Sequence, residues 1–291
     1  MLLAGVKNWL SRSPENALAS LLSTEAQDRP IIWPSERIAL AAKLWGEGFI
    51  LPGGEEETLR IARPMGLSPA SSLLLLGCGP GGASRIIASR LGVWVSGFEA
   101  DPDLVAAGVT LCAHSGLGKR AQVDFWNPER PDFQHRYFHH AIGLEPMREA
   151  SPETVLAGIA LALRPAGQVS LLELVAPERV TVADREMTRL IELENRTDAP
   201  AAEATISRAL GRLGFDVRVA EDVSARHEAH IVRGWKGLVR MLSEQRPGTA
   251  EAARLVREGE MWMLRARLLR SERLRFVRWH AIARKVQTEK A

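Results

Sequence analysis

Apolar and polar positions along this chain follow two alternating patterns. From residue 71 onward, apolar runs of strand length recur between stretches with helical spacing. Ser72–Leu76, Val93–Phe98, Ala121–Phe125, Tyr137–Leu144 and Gln168–Val175 predict strands, and Ala83–Leu91, Leu104–Ser115 and Pro152–Leu163 predict the helices between them. Such alternation implies a mostly parallel sheet with right-handed crossovers. Arg164-Pro165-Ala166-Gly167 predicts a turn before the fifth strand.

Residues 1–70 read differently, as helices and loops broken by Pro14, Pro30, Pro34, Pro52 and Pro64, with no obvious strand. Met1–Leu10 places Leu2, Leu3, Val6, Trp9 and Leu10 on one helical stripe. The stripe suits a helix packed on the body, or a membrane-surface anchor helped by Lys7 and Arg12. It lacks the charged start and small-residue cleavage site of a signal peptide.

Beyond Val175 the order loosens. Arg179–Glu194 reads as a charged helix, a loop runs through Pro200, and Ala201–Leu213 is a helix closed by Gly214 before a short strand, Phe215–Ala220. Two long amphipathic helices follow, one with Ile231, Val232, Trp235, Leu238, Val239 and Leu242 on its apolar face. The other carries Leu255, Val256, Trp262, Met263, Ala266 and Leu269. Leu274–Ala283, rich in β-formers, predicts a last strand.

Composition narrows the class. The 291 residues suffice for one large α/β domain with embellishments, or for two small domains. A hydrophobic content of 46% with 25% charged residues is that of an ordinary globular protein. The net charge of +3 is too mild to argue for nucleic acid without a local patch. The 2 cysteines, Cys78 and Cys112, suggest neither a disulfide scaffold nor a CxxC site, which points to a reducing cytoplasm. No apolar run approaches the ~18 residues of a membrane span.

The densest chemical signal is Leu73-Leu74-Leu75-Leu76-Gly77-Cys78-Gly79-Pro80-Gly81-Gly82, a strand breaking into a glycine turn that opens a helix. Glycines let a backbone bend tightly and let a ligand approach without a Cβ in the way. The following helix points its positive end at whatever sits there. Val93–Phe98 ends at Glu99, about 20 residues on, where a nucleoside site places a carboxylate on ribose hydroxyls. Gly77, Gly79 and Gly82 fit the GxGxxG of dinucleotide binders, and Gly77, Gly79 and Gly81 fit a GxGxG turn. A dinucleotide fold usually opens with this strand, whereas some 70 residues precede it here. Val123-Asp124-Phe125 adds an acid and an aromatic at the third strand's carboxyl end, suited to an adenine amino group and ring.

On these residues the chain resembles the class I S-adenosylmethionine (SAM)-dependent methyltransferases. The Gly77–Gly81 loop, Glu99 with Asp101-Pro102, Asp124-Phe125 and Leu163-Arg164-Pro165-Ala166-Gly167 carry the resemblance over roughly 71–225. Leu213-Gly214-Phe215-Asp216-Val217 with Glu221-Asp222 is similar to the sixth-strand region of small-molecule members. Leu44-Trp45-Gly46-Glu47-Gly48-Phe49, ending in Pro52-Gly53-Gly54, is similar to the lead-in of phosphoethanolamine-type members.

The resemblance implies a Rossmann-like α/β fold, a mostly parallel sheet of seven strands with the last antiparallel. It implies an N-terminal helical lid over 1–70 and a SAM-binding domain over 71–291, with insertions at about 177–205 and 226–271. SAM is the implied cofactor, held by Gly77, Cys78, Gly79, Gly81, Glu99, Ala100, Asp124, Phe125 and Glu145. Two positions depart from the family pattern. Leu75 stands where members usually carry an acid, and Phe138-His139 stands where Phe-Asp is common.

Methyl transfer needs an unprotonated acceptor placed in line with the sulfonium, and a base only where the acceptor arrives protonated. Glu145, just past the fourth strand, and His227, after the sixth, are the catalytic candidates. His135, His139 and His140 lie at the amino end of the fourth strand and read as structural, and no metal site is expected. Arg254, Arg257 and Arg265 fall mainly opposite an apolar stripe and read as a solvated face or a subunit contact.

The reading is a cytoplasmic SAM-dependent methyltransferase with a small-molecule acceptor, no nucleic-acid partner and no stable membrane insertion. The long helices suit either a lid or a homodimer face. A catalytically impaired SAM-binding regulator or scaffold, motivated by Leu75 and His139, stays open, as does an NAD-dependent oxidoreductase.

Overall fold

Leucines at 73–76 explain why the sheet has two buried faces. In the computed structural model, which describes residues 31–181, 184–244 and 247–284, Leu73 and Leu75 enter one core and Leu74 and Leu76 the other. Successive strand side chains point to opposite faces, so a continuous apolar run suits a strand covered on both sides. Leu75 is fully buried between Gly97 and Ile142 of the neighbouring strands.

The elements run α1 (Ser35–Trp45), α2 (Gly54–Ala62), a 3-10 turn (Arg63–Met65), β1 (Ser72–Leu76), α3 (Gly82–Leu91), β2 (Trp94–Glu99), α4 (Pro102–His114), β3 (Ala121–Phe125) and β4 (Phe138–Leu144). Next come α5 (Pro152–Ala162), β5 (Leu163–Val175), α6 (Arg185–Glu194), α7 (Glu203–Arg212), β6 (Phe215–Asp222), α8 (Ser224–Glu244), α9 (Thr249–Arg270) and β7 (Arg275–Ala283). The 7-stranded sheet has the order β3-β2-β1-β4-β5-β7-β6. β1 to β5 pair in parallel, and β7 runs antiparallel to both β5 and β6. The expected architecture is therefore present. The order reverses at β1, with β2 on one side and β4 on the other, and open α/β sheets bind ligands at such a switch point.

Local chemistry sets several boundaries. Asp101 caps α4, its side chain accepting from the N–H groups of Asp103 and Leu104, with Pro102 at the first helical position. Ser151 and Pro152 open α5 in the same way. The turn expected at Arg164–Gly167 lies inside β5: the ladder slips between Phe138 and His140, and Ala166 takes a left-handed backbone. The stripe expected over Met1–Leu10 lies outside the described residues.

The long helices do not follow their expected faces throughout. Val239, Val256 and Met263 are exposed, whereas Arg265 is fully buried. α9 is enclosed on more than one side, and its buried set includes Glu258, Trp262, Arg265 and Leu268. No helix among the described residues is long and apolar enough to cross a membrane.

Candidate functional site

The turn after β1 is shaped by what presses on it. Gly77 and Gly79 both take left-handed backbones, with φ of 69° and 54°. A Cβ on Gly77 would lie 2.2 Å from the carbonyl oxygen of Leu144, at the end of β4. A Cβ on Gly79 would lie 3.1 Å from Ile50, in the loop joining α1 to α2. That loop crosses the turn. The Gly48 carbonyl accepts the Gly82 N–H, at the start of α3, at 2.9 Å, and Arg85 donates to the Glu47 carbonyl at 2.9 Å.

Glu99 ends β2 beside this turn. Its carboxylate accepts the backbone N–H of Gly79 at 2.8 Å, of Ala100 at 2.8 Å and of Asp101 at 3.2 Å. Burial raises its pKa to about 7, although those three N–H groups pull it down.

A cleft opens at this edge in two compartments that share Ile50, Leu51, Gly77 and Leu144. One is walled by Glu99, Ala100, Asp101, Leu104, Trp126, Glu145, Arg148 and Glu149. The other is mostly apolar, with Phe49, Leu172 and Phe276, and includes Cys78, Glu57 and Thr58. Glu57 is bound through both oxygens to Arg226 of α8, each at 3.0 Å. Burial pushes the Cys78 thiol far up, so it stays protonated.

The structure separates the sequence candidates. Gly77, Cys78, Glu99, Ala100 and Glu145 line the cleft, and Gly79 serves it through its N–H. Asp124 and Phe125 are exposed, and neither lines the cleft. β3 pairs Glu99 with Phe125, so the residue just beyond the sheet edge is Trp126. Trp126 is buried, donates its backbone N–H to the Glu99 carbonyl at 3.3 Å, and carries an indole N–H without a partner. Counting one residue past the strand end would have found it.

Glu145, in a left-handed backbone, sits in a buried ion cluster. Arg196 donates to it at 2.8 Å, and Arg265 binds both Glu145 and, at 3.0 Å, Glu194. Arg196 also holds Glu194 at 2.5 Å. Burial works to raise Glu145, but Arg265, Arg148 and Arg196 hold it at about 2; Glu194 is likewise held at about 2. Glu173 shares the cluster without a close arginine; burial and the Glu145 charge push it up to about 8. Arg265 is thus no solvated side chain: the spacing read its polar identity but not its partners.

His227 is buried, its ring 3.9 Å from that of Phe276, which does line the cleft. Burial, with Arg265 and His230 nearby, depresses its pKa well below 6.5, so it stays neutral. His139 lies at the amino end of β4, accepting the Ser72 N–H at 3.0 Å with Arg164 2.8 Å from its other nitrogen. No group of metal-ligating side chains occurs among the described residues.

The comparisons fit this geometry. Phosphoethanolamine N-methyltransferase 2 of Caenorhabditis elegans is 27% identical over 128 residues, 43% of this chain and 29% of that protein. Sterol 24-C-methyltransferase of Eremothecium gossypii is 28% identical over 184 residues, 61% of this chain and 48% of that protein. The Haemonchus contortus phosphoethanolamine N-methyltransferase 2, solved with phosphomonomethylethanolamine and S-adenosylhomocysteine, superposes with a TM-score of 0.73 at 16% identity, over 91% of this chain and 59% of that one. By sequence and by fold, the chain's relatives are class I SAM-dependent methyltransferases. The chain spans less than half the length of these curated relatives. No protein-family model matches it. The same fold also serves the [4+2]-cyclase SpnF, with a TM-score of 0.64 at 18% identity, over 88% of this chain and all of that one. A shared fold therefore does not fix the reaction.

Proposed function

We propose that this chain is a SAM-dependent methyltransferase with a small-molecule acceptor. The observation that carries the reading is Glu99: a buried carboxylate at the switch point, fixed by three backbone N–H groups beside a glycine turn. The acceptor site left on Oε2 suits a ribose hydroxyl, and Ala100, Leu104 and Trp126 wall an adjoining space fit for an adenine ring. The Gly77–Gly79 backbone and Cys78 border the room for the amino-acid tail, at the junction of the two compartments. Leu75 is committed to the core and cannot serve a ligand. Glu145 lines the same wall, and its charge is answered there by Arg196 and Arg265.

When bound, SAM supplies an electrophilic methyl group on a sulfonium. The chain's own part is placement and exclusion of water. The loop from Gly46 to Gly53 acts as a lid, its Phe49, Ile50 and Leu51 closing an apolar compartment with Leu172 and Phe276 for the acceptor. Glu145, with its pKa near 2, orients charge and does not take up a proton at neutral pH. His227, neutral and stacked on Phe276, acts by supporting that wall. The location that fits this chemistry is the cytoplasm, where the buried thiols stay reduced.

The test is incubation with methyl-labelled SAM and a metabolite extract. Label should enter a small molecule with the native chain and not with Glu99→Gln. Tight S-adenosylhomocysteine binding without transfer into any fraction would overturn the enzyme reading and leave a SAM-binding regulator.

A further inference from the structure

Among the described residues lining the two compartments, Arg148 is the one cation. It belongs to the buried cluster but is held there loosely. Its contacts are 3.5 Å to Glu145 and 3.9 Å to Glu194, while Arg196 reaches the same carboxylates at 2.8 and 2.5 Å. Arg148 keeps 21% of its side-chain surface exposed, against 2% for Arg196 and 0% for Arg265. The two deep arginines balance Glu145 and Glu194, and the third stands in front of them on the cleft wall.

That arrangement keeps a guanidinium charged at the edge of a low-dielectric cleft. Burial works against its charge, but Glu145 and Glu194, with Glu149 beside it, outweigh that cost. The other ionisable groups of the compartment, Glu99, Asp101, Glu145 and Glu149, are all acids. They suit a cationic ligand. Arg148 is the position where such a ligand's negative end would be read, because a planar guanidinium fits an oxyanion and a charged bond there is strong.

We propose that Arg148 is an anion-recognition residue of the cleft, pairing with a carboxylate or other oxyanion of the bound ligand. The inference rests on the methyltransferase reading. Two sources share this chemistry: the α-carboxylate of the cofactor's amino-acid tail, and an anionic group on an acceptor that reaches from the apolar compartment past the shared Gly77 and Leu144 to this wall.

Calorimetry on the full chain separates them, using S-adenosylhomocysteine, which has the tail, and 5′-methylthioadenosine, which lacks it. If the cofactor is the source, Arg148→Gln weakens S-adenosylhomocysteine about 10- to 100-fold, leaves methylthioadenosine unchanged, and Arg148→Lys recovers part of the loss. If the acceptor is the source, both nucleosides bind Arg148→Gln normally, while labelled transfer into the anion-exchange-retained fraction of an extract disappears. Wild-type affinity together with wild-type transfer in Arg148→Gln overturns the proposal. So does equal weakening of both nucleosides, which marks a merely structural counterion. Should Arg148→Gln fail to fold, Arg148→Lys, which retains the charge but not the fork, must show the selective loss. A native chain that binds neither nucleoside overturns the cofactor reading itself.

Discussion

The two walls of the cleft are built by different means. On one, β1, the glycine turn and β2 bring Gly79 N–H to Glu99 within 20 residues of chain, and the grip is largely backbone. On the other, Glu145 is met by Arg265 from 120 residues away and by Arg196 from 51 residues away, and the grip is entirely side chain. The first wall needs only a strand, a turn and a parallel neighbour. The second exists only once α6, α9 and the β4 loop have converged, and it places several charges out of water. The backbone wall should therefore be tuned for ligand, and the ionic wall should be felt first as stability.

The largest expected effect breaks the ionic wall. Arg265→Met leaves Glu145 and Glu194 short of a buried partner, a loss of about 3–5 kcal/mol, read as a fall in urea midpoint. A midpoint near that of the native chain would show that the two walls do not differ in this way. Glu99→Gln probes the other wall: its amide nitrogen cannot accept a backbone N–H, so the midpoint falls, by less than for Arg265→Met. S-adenosylhomocysteine binding loses about 1.5–3 kcal/mol, measured by calorimetry.

A third substitution tests the turn. Gly77→Ala forces a side chain into a left-handed backbone, costing roughly 1–2 kcal/mol by itself, and its Cβ, 2.2 Å from the Leu144 carbonyl oxygen, forces the β4 backbone to move as well. Both stability and affinity should fall, since that contact joins the turn to the β4 end.

The smallest effects are in pH. Glu173 is raised from 4.5 to about 8, so its contribution is fully present below 4.5 and is lost as pH rises through 8. Glu173→Gln stays neutral and should flatten the decline in urea midpoint between about pH 5 and pH 8. Glu99, raised to about 7, loses stability in the same direction but gains ligand. Hydroxyl donors favour its ionised form, so S-adenosylhomocysteine affinity should rise from pH 6 to pH 8 and stay level in Glu99→Gln. Opposite slopes for the two measurements would sharpen the contrast between the walls.

Much of the first wall was legible in the residues. An apolar run before glycines and a second run ending in an acid specify strand, turn and carboxylate by local rules, and the structure joins Gly79 to Glu99. Asp124 and Phe125 are exposed at the end of β3 and the next residue, Trp126, lines the cleft, a placement that sequence marks poorly because strand ends carry little local signal. Arg265 was read by its type, and a polar residue opposite an apolar stripe looks solvated until its carboxylate partners are known.

The sequence by itself determined the alternation of strands and helices, the glycine turn and the acid at the end of β2, because each depends on neighbours within a few turns of chain. Only the tertiary structure decided that the β4 loop, α6 and α9 meet at Glu145. It also decided that the α1–α2 loop lies over Gly79 and that one arginine of three faces the cleft. Those outcomes depend on long-range burial of charge, where a partner's position rather than a residue's type sets whether an ion is solvated, neutralised or left to read a ligand.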